Sequence, residues 1–139
     1  MGRILAIDYG TKRVGIAVTD SLKMIANGLT TVHAKDLMAF LKDYLSKEEV
    51  ESIVVGEPKR MSNEAAQTEI HIAPFVKKLQ KEFPGMKIER YDERFTSKIA
   101  FQSMIAGGLK KKDRRDKALV DKISATLILQ SYLEHQNQN

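Results

Sequence analysis

The chain contains no cysteine. Disulfides, iron–sulfur clusters and thiolate zinc sites are therefore excluded, and a reducing cytoplasm is the expected location. No run of eighteen apolar residues occurs, so neither a membrane span nor a membrane partner is expected. Met1-Gly2-Arg3-Ile4-Leu5-Ala6 runs straight into a strand pattern, so no signal peptide is expected. The Met1-Gly2 opening lacks the Ser or Thr that N-myristoylation needs at position 6, where Ala6 stands. Nucleotide-binding glycine loops are also missing. Gly10-Thr11-Lys12-Arg13-Val14-Gly15 is not followed by Lys-Ser or Lys-Thr, and no G-x-G-x-x-G occurs. His33, His71 and His135 have no mutual metal spacing and read as incidental. There is no internal repeat and no low-complexity tract.

What is present fits one domain over residues 1–139, with 42% apolar and 29% charged residues and a net charge of +5. The excess is concentrated. Lys110-Lys111-Lys112-Asp113-Arg114-Arg115-Asp116-Lys117 holds six basic and two acidic residues, a net +4. Following Gly107-Gly108, it reads as a basic loop between two helices, either a solvated connector or a contact for a polyanion.

Hydrophobic periodicity predicts an α/β protein. Arg3–Asp8 reads as a buried strand. Val14, Ile16 and Val18 alternate with Gly15, Ala17 and Thr19, making a second strand joined to the first by a short antiparallel turn. Further strands are expected at Gly28–His33, Ser52–Gly56 and Met86–Tyr91. Leu37, Phe40, Leu41, Tyr44 and Leu45 mark a helix, as do Ile72, Phe75, Val76 and Leu79, with Pro74 expected to kink or start the latter. A helix from Thr96 to Ala106 stopping at Gly107, and a last helix Lys117–Glu134, complete the pattern, with a frayed polar tail from His135. The order implies a mixed sheet, an antiparallel meander extended by parallel strands.

Most of the eighteen acidic residues read as solvated surface. Three do not. Asp8 ends the most apolar strand, where α/β sheets gather ligands; a turn-capping role is the alternative. Glu93 follows the fifth strand and would share an edge with Asp8, or would simply favour a helix N-terminus. Asp121 lies on a helical stripe with Ala118, Ala125, Ile128 and Tyr132. A charge there needs a partner, and an ion pair with the basic loop is the competing reading. A second apolar line, Leu119, Ile123 and Leu127, implies packing on two sides or a dimer contact, so a monomer or weak homodimer is expected.

Three converging carboxylates repel one another, and a divalent cation removes the conflict. Mg²⁺ or Mn²⁺ suits oxygen ligands, and two ions roughly 3.5–4 Å apart are the usual device for phosphodiester hydrolysis. Lys12, Arg13, Arg94 and the basic loop (Lys110, Lys111, Lys112, Arg114, Arg115) would form a cationic rim for a nucleic-acid backbone.

Asp8-Tyr9-Gly10-Thr11-Lys12-Arg13-Val14-Gly15-Ile16-Ala17-Val18-Thr19-Asp20 closely resembles the opening motif of the YqgF (RuvX) family. Gly56-Glu57-Pro58, Asp92-Glu93-Arg94-Phe95-Thr96-Ser97, and Asp121 through Ile128-Leu129-Gln130-Ser131-Tyr132-Leu133 resemble its other three motifs, in order. The resemblance covers nearly the whole chain. It implies a bacterial nuclease of ribonuclease H-like fold, similar to Holliday junction resolvases and associated with maturing the 5′ end of the small-subunit ribosomal RNA precursor. It also implies that Asp8, Glu93 and Asp121 are the metal-binding carboxylates, and that ribosomal particles are potential partners. Asn63 stands where the family usually has glycine, a place where Asn can keep a left-handed turn. Ser124-Ala125 replaces the usual two alanines.

The expected activity is thus metal-dependent hydrolysis of structured nucleic acid, RNA first and DNA junctions second. Two rivals belong to other classes. One is an ATP-binding protein, since Asp-x-Gly-Thr also resembles the phosphate loop of actin-like ATPases, although those need two such domains. The other is a non-catalytic nucleic-acid- or ribosome-associated factor.

Overall fold

The computed structural model describes residues 2–59, 63–96 and 117–137. Five strands, β1 (Arg3–Tyr9), β2 (Arg13–Thr19), β3 (Ala26–His33), β4 (Val50–Glu57) and β5 (Lys87–Asp92), form one mixed sheet in the order β3-β2-β1-β4-β5. The β1–β2 and β2–β3 pairs are antiparallel, whereas β1–β4 and β4–β5 are parallel. The described helices are α1 (Leu37–Lys47), α2 (Asn63–Glu82) and α3 (Lys117–Asn137). The mixed-sheet expectation holds; β1 to β4 run one to three residues longer than expected, and β5 is shifted by one residue to Lys87–Asp92.

Strand alternation sorts the core into two layers. Leu5, Ile7, Val14, Ile16, Val18, Ile53 and Val55 pack with Leu37 and Leu41 of α1 and with Ile72, Phe75, Val76 and Leu79 of α2. Ile4, Ala6, Ala17, Val54 and Tyr91 face the other way, against Ala125, Ile128, Leu129, Tyr132 and Leu133 of α3. The second layer is built from smaller strand residues, and this lets α3 lie close to the sheet. By the same alternation Asp8 follows Ile4 and Ala6, Gly56 follows Val54, and Glu93 follows Tyr91, so all three fall on the α3 side.

Four expectations need correction. Helix α2 begins at Asn63 and runs through Pro74 to Glu82, so the proline does not start it; only the hydrogen bond back to Ile70 is forfeited there. Asn63 is helical rather than left-handed, and Lys23 (φ 59°) is the sole non-glycine with positive φ among the described residues. The tail does not fray at His135, because α3 continues to Asn137 and His135 is held by side-chain contacts. Ile123 and Leu127 are buried within the single chain, so that line is no open dimer face. The expected helix beyond Thr96 and the basic loop Lys110–Arg115 lie outside the described residues.

Candidate active site at the carboxyl end of the sheet

The parallel strands β1, β4 and β5 deliver their ends to one edge: Asp8 near the end of β1, Gly56-Glu57 ending β4, and Glu93 in the 3-10 turn Glu93–Phe95 that follows β5. That turn is set by Asp92, whose carboxylate accepts the Arg94 backbone N–H at 2.9 Å.

Two glycines admit the other parts. Gly15 pairs with Asp8 across the β1–β2 ladder. A Cβ at Gly15 would stand 2.0 Å from the backbone oxygen of Asp121, so only glycine lets α3 descend onto β2 at that point. A Cβ at Gly56 would lie 3.1 Å from Ile128 Cδ1 and 3.2 Å from the Glu93 carboxyl carbon. Glu93 and α3 therefore both crowd onto the end of β4.

Asp8 senses the other two carboxylates. Asp8 is pushed up from an ordinary carboxylate value to about 8, first by dehydration and then by the negative charges of Glu93 and Asp121. The side chain keeps some solvent access, but the neighbouring charges act through poorly hydrated surroundings. An all-oxygen set with unbalanced negative charge fits Mg²⁺ or Mn²⁺. Among the described residues no three acidic or histidine side chains already close on one point as ligands. Asp121 instead gives Oδ2 to the Nε–H of Arg13 at 2.8 Å. The ion pair weighed for Asp121 thus exists, with a cation supplied by β2; the basic loop lies outside the described residues.

The expected rim is only partly as the sequence implied. Lys12 is exposed and lines an open groove of about 360 Å³ with Thr11, Arg13, His33, Ala34 and Lys35. Arg13 is turned inward to Asp121. Arg94 forks onto Asp92, with Nη2 to Oδ2 at 2.7 Å, and holds that carboxyl below its usual range.

Some structural partners were missed. Arg90 of β5 donates to both carboxylate oxygens of Glu69 on α2 (2.7 and 3.0 Å) and to the Gly56 carbonyl (3.1 Å), fixing the end of β4. Nothing local in the sequence marks that pair. Tyr91 Oη meets Ser131 Oγ and His135 Nδ1, each at 2.6 Å, while Ser131 donates to the Phe95 carbonyl. The tail of α3 thereby anchors the turn that carries Glu93, and His135 is not incidental. The small residues Gly15 and Ala17, alternating with Val14, Ile16 and Val18, were the available signal for the close helix approach.

Comparison with known proteins agrees with this geometry. The family model RuvX, described as Holliday junction resolvase, matches residues 2–135. A Christiangramia forsetii protein with the provisional name pre-16S rRNA nuclease is 65% identical over 133 residues, covering 96% of this chain and 98% of the relative. A relative from Porphyromonas gingivalis with the same provisional name is 53% identical over 138 residues, covering 99% and 100%. Among solved structures, Thermus thermophilus RuvC in complex with a Holliday junction substrate superposes with a TM-score of 0.58 at 19% identity, covering 97% of this chain and 96% of that one. At that identity the likeness establishes the shared ribonuclease H-like fold.

Proposed function

The chain belongs to the RuvX family, and from that premise we propose that it is a metal-dependent nuclease that hydrolyses phosphodiester bonds in structured nucleic acid, its substrate being the 5′ end of the small-subunit ribosomal RNA precursor. One observation carries the reading. Burial, Glu93 and Asp121 together push Asp8 up to about 8, a crowding that structure alone would not retain and that a cation at the site relieves. Asp8, Glu93 and Asp121 are the residues that would hold Mg²⁺ or Mn²⁺. When bound, a pair of such ions supplies a hydroxide at neutral pH and stabilises the leaving oxygen.

The protein's own part is positioning. Asp8 and Gly56 sit on adjacent central strands, so the acidic edge is rigid. Gly15 sets the depth of α3 and hence of Asp121. The Tyr91–Ser131–His135 contacts hold the turn bearing Glu93. Lys12 and Lys35, on the groove beside the acidic edge, bind the nucleic-acid backbone as point charges. Arg94 and the segment Lys110–Arg115 add to that rim by their charge.

The names of the relatives favour ribosomal RNA, while the family description favours a DNA junction. A cleavage panel decides between them: precursor RNA, single-stranded RNA and a four-way DNA junction, each with Mg²⁺, Mn²⁺ and EDTA. Preferential cut of the precursor is expected. Preference for the junction would reassign the substrate. Binding without cleavage of any arm would leave a non-catalytic factor.

A further inference from the structure

Arg13 stands apart from the other basic residues near the site, because its charge is already committed. Its Nε lies 2.8 Å from Asp121 Oδ2, joining positions 108 residues apart in sequence. Both side chains are half-buried, 35% and 26% exposed. The pairing is also fixed from below. Gly15, two residues further along β2, brings the backbone of α3 down onto the strand at Asp121 itself. The guanidinium therefore sits against the carboxylate that α3 brings to the acidic edge.

We propose that Arg13 is the internal counter-cation of the acidic edge, a positioning residue that sets the Asp121 carboxylate and competes with a divalent cation for it, and not a contact to the nucleic-acid backbone. The competition rests on the reading of Asp121 as a metal ligand; the Arg13–Asp121 coupling does not. The directed Nε–H bond from a planar guanidinium fixes one carboxylate oxygen, which a lysine could neutralise but orient less well. Backbone binding then falls to the neighbouring Lys12 and Lys35.

The test uses the full chain with Arg13→Gln, Arg13→Lys, Asp121→Asn and the double variant Arg13→Gln/Asp121→Asn. Melting is followed in EDTA, the Mg²⁺ midpoint by titration, and binding to an uncleaved single-stranded RNA in EDTA across salt concentrations. Arg13→Gln should melt several degrees lower in EDTA, whereas the same change in the Asp121→Asn background should cost almost nothing. Its Mg²⁺ midpoint should fall by about two- to fivefold, the range for a partly exposed ion pair. The salt slope of RNA binding should not change, and Arg13→Lys should recover most of the melting temperature and the midpoint. Additive effects of Arg13→Gln and Asp121→Asn would overturn the proposal. So would an unmoved Mg²⁺ midpoint with a salt slope smaller by about 0.7, the mark of one lost phosphate contact. If the wild type itself gives no response to Mg²⁺, the metal reading fails, and the cycle in EDTA still decides whether Arg13 neutralises Asp121.

Discussion

The two ends of the sheet treat charge in opposite ways. At the amino ends of the parallel strands lies the roomier depression, about 720 Å³, lined by Ile4, Leu22, Lys23, Glu51, Ser52, Lys87, Tyr132, Leu133 and Gln136. There the carboxylates have cations: Lys23 meets Glu51 at 2.6 Å, and Lys87 meets Glu89 at 2.9 Å. Glu89 is held below its usual range by Lys87 and by the Tyr132 hydroxyl. At the carboxyl ends Asp121 is paired with Arg13, while Asp8 is driven upward to about 8 by burial and by the charges of Glu93 and Asp121. Volume therefore does not mark the chemistry. The end with unresolved charge is the one able to take a cation, while the larger hollow is electrostatically settled.

The sharpest way to break that contrast is to neutralise Asp8. Asp8→Asn should lower cleavage by more than about a hundredfold, beyond what changing a residue that only orients a metal ligand costs. Its stability should move the other way. In EDTA the wild-type Asp8 carboxyl stays protonated in the fold up to about pH 8, while in the unfolded chain it ionises near 4. The native state therefore binds the extra proton between those values. Stability is greatest below about 4, declines as pH rises towards 8, and is flat in this respect above it. Asp8→Asn should remove that slope and melt higher than wild type at pH 8. Melting curves in EDTA across pH check both signs, and a slope unchanged in the variant would mean that Asp8 is not the group responsible.

The next effect concerns the helix seat. Gly15→Ala places a methyl against the Asp121 backbone oxygen, which no rotamer change can move aside. It should cost about 1–3 kcal/mol in urea unfolding and abolish Mg²⁺-induced stabilisation, because α3 must lift. Gly56→Ala meets only the flexible ends of Ile128 and Glu93. It should cost about 1 kcal/mol or less, with its larger effect on cleavage through the displaced Glu93. Equal destabilisation by the two would mean that the close approach of α3 is not what Gly15 serves.

The smallest effect belongs to the other end. Glu51→Gln breaks the Lys23 pair, which is partly exposed on both sides. It should change stability by about 0–1 kcal/mol and leave cleavage unaltered, as read by unfolding and by the same RNA assay. A loss of cleavage here would show that the settled end takes part in the chemistry.

The elements of this fold were legible because their signals are local. Ile4-Leu5-Ala6-Ile7 and the alternation from Val14 to Val18 announce strands, and the spacing of Leu37, Phe40, Leu41 and Tyr44 announces α1. Asp8 and Asp121 were visible as charges in apolar settings, and the structure brings both within electrostatic reach of Glu93. What escaped were pairings between distant positions. Arg13 looked like rim because its partner lies on the last helix. Arg90 and Glu69 belong to different elements with no pattern linking them. Pro74 does not start α2, because the helix needs only one hydrogen bond fewer to pass through it, and the buried Ile72, Phe75, Val76 and Leu79 outweigh that loss.

The placement of Asp121 on α3 has a consequence for how the molecule comes into being. A chain is made from its amino end, and domains gather in that order. All five strands, α1 and α2 precede α3, so the sheet can form with one face still bare: Ile4, Ala6, Ala17 and Val54 await the residues of α3 that cover them. Asp8 and Glu93 are then in place without their third member. On the site assignment proposed above, the third carboxylate joins the other two only when α3 seats on Gly15. The step that buries the second half of the core is then the same step that completes the proposed acidic site.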